Sequence, residues 1–167
     1  YSTSFEPVPG TTFNRVAFKP TEGEQYEAGF KYQPPGYNAF LQAALYQLTQ
    51  TNVQTADLNN PGFQIQTGEI RARGVEVEAR ATVLDNLDLV AAYTYTDAEV
   101  TKSNGVDLGR RPPVVPRHTA ALWAHYTFRT GTLSGLGLGA GVRYVGGGAG
   151  DPGNTFSTPD YTLVDAA

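Results

Sequence analysis

The sequence predicts an all-β protein, an antiparallel up-and-down meander of about eight strands that forms part of a transmembrane β-barrel. Three observations lead to this fold class. Apolar and polar residues alternate with a period of two along several segments, as they do in half-buried strands. The chain contains 19 Gly and 11 Pro, which punctuate these segments with turns. The connections alternate between long and short, so long loops and short turns fall at opposite rims of the sheet.

The composition narrows the possible functions. Charged residues make up 17% of the chain and the net charge is −4, so nothing supports the basic surface of a nucleic-acid-binding protein. The absence of Cys excludes disulfides, zinc–thiolate sites and cysteine nucleophiles. No stretch approaches the roughly 18 apolar residues that a transmembrane helix requires. A membrane interpretation therefore has to be a β-barrel.

The first two full strands differ in clarity. Over residues 25–32 the apolar and polar residues separate onto two faces, and Pro34–Gly36 then predicts a tight turn. Residues 38–53 are predicted as the next strand, but Phe40, Leu41 and their neighbours do not show which face is apolar. A helix over 39–48 is the competing interpretation. The apolar face of the earlier strand is formed by Tyr26, Ala28, Phe30 and Tyr32.

The strand over residues 66–83 has the clearest alternation in the chain. Its apolar row comprises Val75, Val77, Ala79, Ala81 and Val83. The opposing row comprises Gly74, Glu76, Glu78, Arg80 and Thr82. Asp85-Asn86 predicts a tight turn, and a second alternating strand follows over 87–95.

Three further strands complete the meander. They are predicted over residues 119–128, over 136–144 and from Tyr161 onward. Several strands carry Tyr or Phe near their ends, as in the aromatic girdles of membrane barrels, although strands in general also favour these residues. The chain is interpreted as starting and stopping within strands, which favours a piece of a larger barrel.

The predicted connections distinguish the two rims. The long ones are residues 6–23, 54–64, 102–116 and 147–159, and the short ones are 34–37, 84–86 and 130–134. This pattern is typical of outer-membrane barrels. Two alternatives remain: a general porin or structural barrel, and a soluble β-sandwich binding module.

Collinear residue patterns over nearly the whole chain resemble TonB-dependent siderophore receptors, with the hydroxamate, ferrichrome-type branch the most similar. The patterns include Phe18-Lys-Pro20, Gly23-Glu-Gln-Tyr26-Glu27-Ala-Gly29-Phe-Lys-Tyr32, Gln66-Thr-Gly-Glu69-Ile-Arg-Ala-Arg73-Gly-Val-Glu76-Val-Glu78, Pro113-Val-Val-Pro116-Arg-His118 and Tyr161-Thr-Leu-Val-Asp165-Ala. No single motif is diagnostic, but the collinear set is a strong signal.

The resemblance implies a barrel of about 22 strands that is plugged by an N-terminal domain. Residues 1–167 would be a partial barrel domain without the plug and the final strands. The resemblance also implies a location in the outer membrane of a Gram-negative bacterium, in contact with its lipid. Further implied partners are a ferric siderophore as the transported ligand and the TonB-ExbB-ExbD system, which acts through the plug. No cofactor is implied.

The sequence shows no catalytic constellation, so an enzyme is not expected. Glu76, Glu78 and Arg80 share one strand face, and Arg143 lies on the polar face of another strand. Such carboxylates could act in acid–base chemistry, but an inward-facing polar wall in contact with water or the plug is the favoured interpretation. No metal site is predicted, because Asp151, Asn154 and Asp160 lack the ligand spacing of an EF-hand.

Candidate ligand-binding residues lie at the ends of the long loops. An aromatic or cationic side chain at such a position can contact a large polar ligand. The candidates are Arg110, Arg111, Phe156 and Tyr161. A plain loop or girdle role is the alternative for each of them.

Overall fold

A computed structural model describes residues 1–167. The eight strands are β1 Ser2–Glu6, β2 Thr21–Tyr32, β3 Ala39–Ala56, β4 Gln64–Leu84, β5 Leu87–Lys102, β6 His118–Thr127, β7 Gly137–Val145 and β8 Tyr161–Ala166. They form one antiparallel sheet in the order of the chain, from β1 to β8. The predicted meander is confirmed, and residues 39–48 are strand rather than helix. The structure holds no helix with the length and apolarity needed to cross a membrane.

The sheet is a single open layer. Strands contact only their neighbours in the chain, and nothing covers either face with a second layer. Only 11 of the 167 residues are buried, so the chain encloses no core of its own. Val75, Val77 and Ala79 are half-buried beside neighbouring strands rather than covered. The β-sandwich alternative is therefore wrong.

Strand pairing resolves the two faces of β3. Leu45 lies opposite Val75, and Val75 lies opposite Tyr95. Because directly paired residues of antiparallel strands point to the same side, these three belong to one apolar face. The alternate rung joins Ala44 to Glu76 on the opposite, polar face. The ambiguous row of Leu41, Ala43 and Leu45 is thus apolar-face.

Three central strands are much longer than the others. β3, β4 and β5 contain 18, 21 and 16 residues, whereas β6 and β7 contain 10 and 9. We call residues 47–56, 64–73 and 97–102 the extension. The remainder of β3–β5, together with β6–β8, is called the wall. About ten residues of β4 at about 3.3 Å each give the extension roughly 30 Å of strand.

The polarity of the two faces reverses between the wall and the extension. On the continuation of the apolar face, Arg73 pairs with Gln47 and Asp97, and the next rung carries Thr49, Arg71 and Glu99. On the continuation of the polar face, the rungs are Leu48–Ala72–Ala98 and Gln50–Ile70–Val100. Ala98 and Val100 are buried.

A tyrosine marks the change between the two regions. Tyr46 lies over Gly74 and its hydroxyl is 2.8 Å from Thr96 Oγ1 on the next strand. A Cβ at position 74 would lie 2.5 Å from the Tyr46 ring, so only glycine leaves room for it. These contacts connect β3, β4 and β5 at the end of the extension that adjoins the wall.

The predicted contrast in loop length is wrong at two connections. Residues 57–63 link β3 to β4 and are fewer than residues 128–136, which link β6 to β7. Both ends of the predicted loop over 54–64 instead continue the β3–β4 ladder, beyond a bulge at Asn52, whose φ is +59°. Between β3 and β4, the chain therefore extends beyond the wall as long strands rather than as a long loop.

Candidate functional site

The structure places Glu76, Glu78, Arg80 and Arg143 on the same face of the sheet. One rung runs from Glu78 through Ala92 and Ala121 to Arg143. With strands about 4.8 Å apart, β4 and β7 lie roughly 14 Å from each other. Because the side chains of Ala92 and Ala121 are small, this rung forms a shallow groove, which we call the trough. Glu78 lies on one side of it, the acidic bank, and Arg143 lies on the other side, the basic bank.

The two banks differ in their ion pairing. Arg143 Nε donates to Asp165 Oδ2 at 3.0 Å, and Nη2 donates to Oδ1 at 3.3 Å. Glu76, Glu78 and Arg80 form no ion pair in the chain. Exposed carboxylates without an internal partner can accept hydrogen bonds from a basic group that approaches this face. Their predicted position inside a barrel stays a prediction.

Sequence reasoning missed an aromatic feature of the polar face. Trp123 lies across Gly139 and Gly141, and a Cβ on either glycine would collide with its indole. Gly137 makes room for His125 in the same way, because a Cβ at position 137 would lie 2.7 Å from Nε2 of His125. The available signal was a glycine at every second position of β7 opposite an aromatic strand. These glycines allow Trp123 to lie flat against the sheet.

The loops over residues 103–117 and 146–160, which we call the joined loops, are bonded to each other. Pro113 and Ala149 form a parallel bridge, and Val114 N donates to Ala149 O at 2.9 Å. The amide of Asn154 accepts from Arg111 N at 3.1 Å and donates to Arg111 O at 2.9 Å. The side chain of Asn154 thus satisfies both backbone groups of Arg111, as a neighbouring strand would. These bonds connect the two loops to each other.

Three of the four candidate ligand-binding residues belong to the joined loops. Arg110 Nη1 donates to Gly153 O at 2.5 Å, which fixes one loop upon the other. Phe156 packs over Gly150 yet remains 58% exposed. Tyr161 begins β8 opposite Val145 and is 51% exposed. The structure therefore gathers the first three and leaves Tyr161 at the base of the same loops.

Arg111 is the candidate with a buried donor that has no hydrogen-bond partner. Its Nη2 donates to Val115 O at 3.1 Å, whereas its Nε is buried without a hydrogen-bond partner. Burial lowers the pKa of Arg111, and the nearby Arg117 lowers it further, against an opposing effect of Asp97. A partly buried guanidinium with a free N–H gains free energy when it meets an anionic or carbonyl oxygen.

The acidic groups of these loops serve the loop backbone. Asp151 Oδ1 accepts from Thr155 N at 2.7 Å and Oδ2 from the Thr155 hydroxyl at 3.0 Å. Burial would raise the pKa of Asp151, but these hydrogen bonds, with others from backbone N–H groups, outweigh it and lower the pKa. No group of three or more His, Cys, Asp or Glu residues is arranged to hold a metal ion.

A second pair of connections crosses the top of the extension. Phe13 and Phe63 stack edge to face with centroids 5.1 Å apart, which joins loop 7–20 to loop 57–63. Lys19 N donates to Gln66 Oε1 at 2.6 Å, and Gln66 Nε2 donates back to Lys19 O. The long-loop rim thus consists of two bonded pairs of loops.

Comparisons with known proteins identify relatives for the whole chain. A model of the family "TonB dependent receptor-like, beta-barrel" matches residues 1–167. The ferrichrome outer membrane transporter/phage receptor of Escherichia coli is 48% identical over 99% of the chain. The ferrioxamine B receptor of Salmonella typhimurium is 43% identical over 99%, and the metal-pseudopaline receptor of Pseudomonas aeruginosa is 42% identical over 98%.

The chain covers a small part of each relative. It spans 22% of the Escherichia coli transporter and 23% of each of the other two receptors. Among solved structures, the siderophore receptor PiuA of Acinetobacter baumannii superposes with a TM-score of 0.80 at 26% identity, over 98% of this chain and 26% of that one. The ferric yersiniabactin uptake receptor of Yersinia pestis has a TM-score of 0.80 at 23% identity, over 99% and 26%, which shows the shared fold.

Proposed function

Because this chain belongs to the TonB-dependent receptor-like β-barrel family, we propose that it forms part of the wall of an outer-membrane receptor that imports ferric siderophores. The single observation that carries the proposal is the collinear match to the ferrichrome transporter, which extends over 99% of the chain at 48% identity. A match of this kind includes the loops as well as the strands.

The wall has the dimensions of a bilayer-crossing sheet. Its apolar face runs along β4 from Val75 to Val83, which spans roughly 20 Å of membrane at the usual strand tilt. Tyr95 and Tyr144 lie toward the long-loop end of this band, and Tyr126 and Phe128 toward the short-turn end. Aromatic rings at both ends of an apolar band suit the two interfaces of a membrane. Outer-membrane lipid is therefore the proposed partner of this face.

The orientation follows from the three longest connections, residues 7–20, 103–117 and 146–160, which all lie at one rim. Long loops of outer-membrane barrels face the exterior of the cell and short turns face the periplasm. The extension and the joined loops therefore lie outside the membrane, where they meet the ligand first. The polar face lines the interior of the barrel.

The proposed cargo is a ferric hydroxamate siderophore. Two of the relatives carry ferrichrome or ferrioxamine B in their names. The iron stays wrapped in the siderophore, so the receptor needs oxygen-directed donors and aromatic surface rather than metal ligands. Arg110, Arg111, Phe156 and Tyr161 are the proposed contacts, with the two arginine side chains as the proposed hydrogen-bond donors.

The polar face is proposed to contact a plug. Glu76, Glu78 and Arg80 project from the wall without internal ion pairs, and Arg143 offers the opposite charge across the trough. A globular plug and the remaining strands would be supplied by the rest of the receptor. Transport would be energised through that plug by the TonB-ExbB-ExbD system. A general porin is the weaker candidate, because the family match covers the whole chain.

Uptake by the full-length receptor tests the proposal. Deleting its gene in the parent bacterium is expected to abolish uptake of iron-labelled ferrichrome or ferrioxamine B under iron limitation. A TonB deletion should have the same effect, and the full-length gene should restore uptake in the first strain. Undiminished uptake of both siderophores in the deletion strain would contradict the proposed cargo, and TonB-independent leakage of small solutes would favour a porin.

Two arginine variants test the proposed contact. Arg111→Ala in the full-length receptor should weaken siderophore binding about tenfold, since hydrogen bonds to charged groups contribute about 1.5–3 kcal/mol. Arg129→Ala is the matched control, because Arg129 is exposed in the connection at the opposite rim. Equal affinities for the two variants would remove Arg111 from the ligand site, while leaving the transport proposal intact.

A further inference from the structure

One loop carries an asparagine followed directly by glycine, at Asn104-Gly105, and this pair occurs once in the chain. Both residues are exposed at the start of loop 103–117. An asparagine side chain can be attacked by the backbone nitrogen of the next residue. Glycine at that position presents no side chain to hinder the attack. The local geometry determines whether this nitrogen can lose its proton.

A hydrogen-bond relay begins at that nitrogen. Gly105 N donates to Ser103 Oγ at 2.9 Å, and Ser103 Oγ donates to Asp107 Oδ1 at 2.6 Å. The carboxylate strengthens the hydroxyl oxygen as an acceptor, because consecutive hydrogen bonds polarise one another. The arrangement of an amide N–H, a hydroxyl and a carboxylate is that of a general base acting through an intervening group.

Glycine is also the residue that this relay can accommodate. A Cβ at position 105 would lie 2.7 Å from Asp107 Oδ1 and 3.4 Å from Ser103 Oγ. Any side chain would therefore displace the carboxylate or the hydroxyl. The absence of a side chain at Gly105 thus has two effects. It leaves the Gly105 nitrogen unhindered for attack, and it leaves room for the Ser103 hydroxyl and the Asp107 carboxylate.

We propose that Asn104-Gly105 is a self-modification site, at which the Ser103–Asp107 relay promotes cyclisation and deamidation of Asn104. The Gly105 nitrogen loses its proton toward the relay and forms a bond to Cγ of Asn104. The Cγ–Nδ2 bond breaks, and the nitrogen leaves as ammonia with that proton. Water then opens the resulting succinimide to aspartate or isoaspartate, so no oxidant, reductant or cofactor takes part.

The modification removes a link between the joined loops and the extension. Asn104 Nδ2 donates to Ala56 O at 3.2 Å and lies 3.4 Å from Thr67 Oγ1. These contacts join the joined loops to the top of the extension. A carboxylate at position 104 has no proton to donate to Ala56 O, and it adds a negative charge beside Asp107. The converted receptor therefore has joined loops that are less firmly attached to β3.

Peptide mapping of the purified full-length receptor tests this inference. Trypsin cleavage after Lys102 and Arg110 isolates residues 103–110, in which Asn104 is the single amide side chain. Ageing the folded receptor at neutral pH should convert Asn104 faster than the synthetic peptide of the same sequence. A folded-state rate equal to or below the peptide rate would overturn the proposal.

Variants separate the relay from the intrinsic chemistry of the sequence. Ser103→Ala and Asp107→Ala should each slow conversion in the folded receptor by roughly tenfold or more, as expected for loss of general-base assistance. The same substitutions in the peptide should have little effect. Asp85→Ala, in the turn at the other rim, is the matched control and should leave the rate unchanged. Unaltered folded-state rates in both relay variants would also overturn the proposal.

Discussion

The wall and the extension are continuous along β3, β4 and β5, yet they place their apolar residues on opposite faces. Rung Leu45–Val75–Tyr95 is apolar, whereas two residues further along, on the same side, rung Gln47–Arg73–Asp97 is polar. The backbone pairing does not change between the two rungs. In the proposed orientation, the medium that the outer face meets changes here from hydrocarbon to water. The comparison shows that the alternation of apolar and polar residues along these three strands changes face partway, while the strand itself continues.

On its outer face the extension carries polar contacts that water weakens. Arg71 and Glu99 form an ion pair at 3.6 Å with partly exposed side chains, and Arg73 Nε donates to Gln47 Oε1 at 2.8 Å. Exposed pairs of this kind contribute about 0–1 kcal/mol each. On the outer face of the wall, apolar side chains are proposed to contact lipid instead, and a paired backbone ladder is obligatory in hydrocarbon.

The largest expected effect comes from placing the same charge in both regions. Ala79→Arg, at the middle of the apolar face of the wall, should destabilise the folded receptor by about 2–4 kcal/mol, because the cation must enter the centre of the bilayer. Thr49→Arg lies on the same side in the extension and should cost less than about 0.5 kcal/mol. Urea unfolding of the full-length receptor in lipid vesicles, followed by gel mobility, measures both. Similar losses for the two variants would break the comparison.

An intermediate effect is expected where the two regions meet. Gly74→Val should cost about 1–3 kcal/mol, since the new side chain overlaps both the Tyr95 carbonyl oxygen and the Tyr46 ring and forces them to move. Tyr46→Phe keeps the ring and removes only the hydroxyl contact with Thr96, so its cost should be about 1 kcal/mol. The same unfolding measurement ranks the two. A larger loss for Tyr46→Phe would show that the hydrogen bond, rather than the close packing, joins the regions.

The smallest expected effect is local and depends on pH. Asp57 follows β3 at the top of the extension and accepts hydrogen bonds from Asn60 Nδ2 at 2.9 Å and from Asn59 N at 2.9 Å. The side-chain bond from Asn60 and the backbone bond from Asn59 lower the pKa of Asp57. Ionised Asp57 therefore stabilises the loop above about pH 4, the ordinary carboxyl range, and the effect is lost as the pH falls through its lowered pKa.

Amide exchange over residues 57–63 measures this effect. Protection should decrease on acidification in the natural receptor, while the wall keeps its protection. Asp57→Asn is the control, because its loop should exchange faster at neutral pH and respond little to acid. A wall that loses protection together with the loop would show that the two regions do not unfold separately.

The strands could be predicted from sequence because alternation is a local signal. Residues 25–32 and 66–83 carry it clearly, and both are strands. The faces of β3 could not be assigned, since Phe40, Leu41 and Leu45 are all apolar and only pairing with β4 separates them. The predicted loop over 54–64 was too long for a related reason. A bulge at Asn52 lets the ladder continue beyond residues that look irregular on their own.

The candidate site was less accessible to prediction. Arg110, Arg111 and Phe156 could be chosen from their chemistry and their place in long loops. Their arrangement depends on contacts between distant parts of the chain, such as the bonds of Asn154 with Arg111, which is 43 residues away. No local pattern announces such a bond. The packing of Trp123 against the glycines of β7 can similarly be recognised only when the register of β6 and β7 is known.

The strictly sequential order of the sheet has a consequence for how the molecule assembles. Every strand pairs only with the strand before it and the strand after it, so each hairpin can form from a nearby stretch of chain. Closing short loops costs little entropy, and structure can then propagate from neighbour to neighbour. The hairpin of β4 and β5, which has the tightest turn and a long ladder, is therefore the natural nucleus for the rest of the sheet.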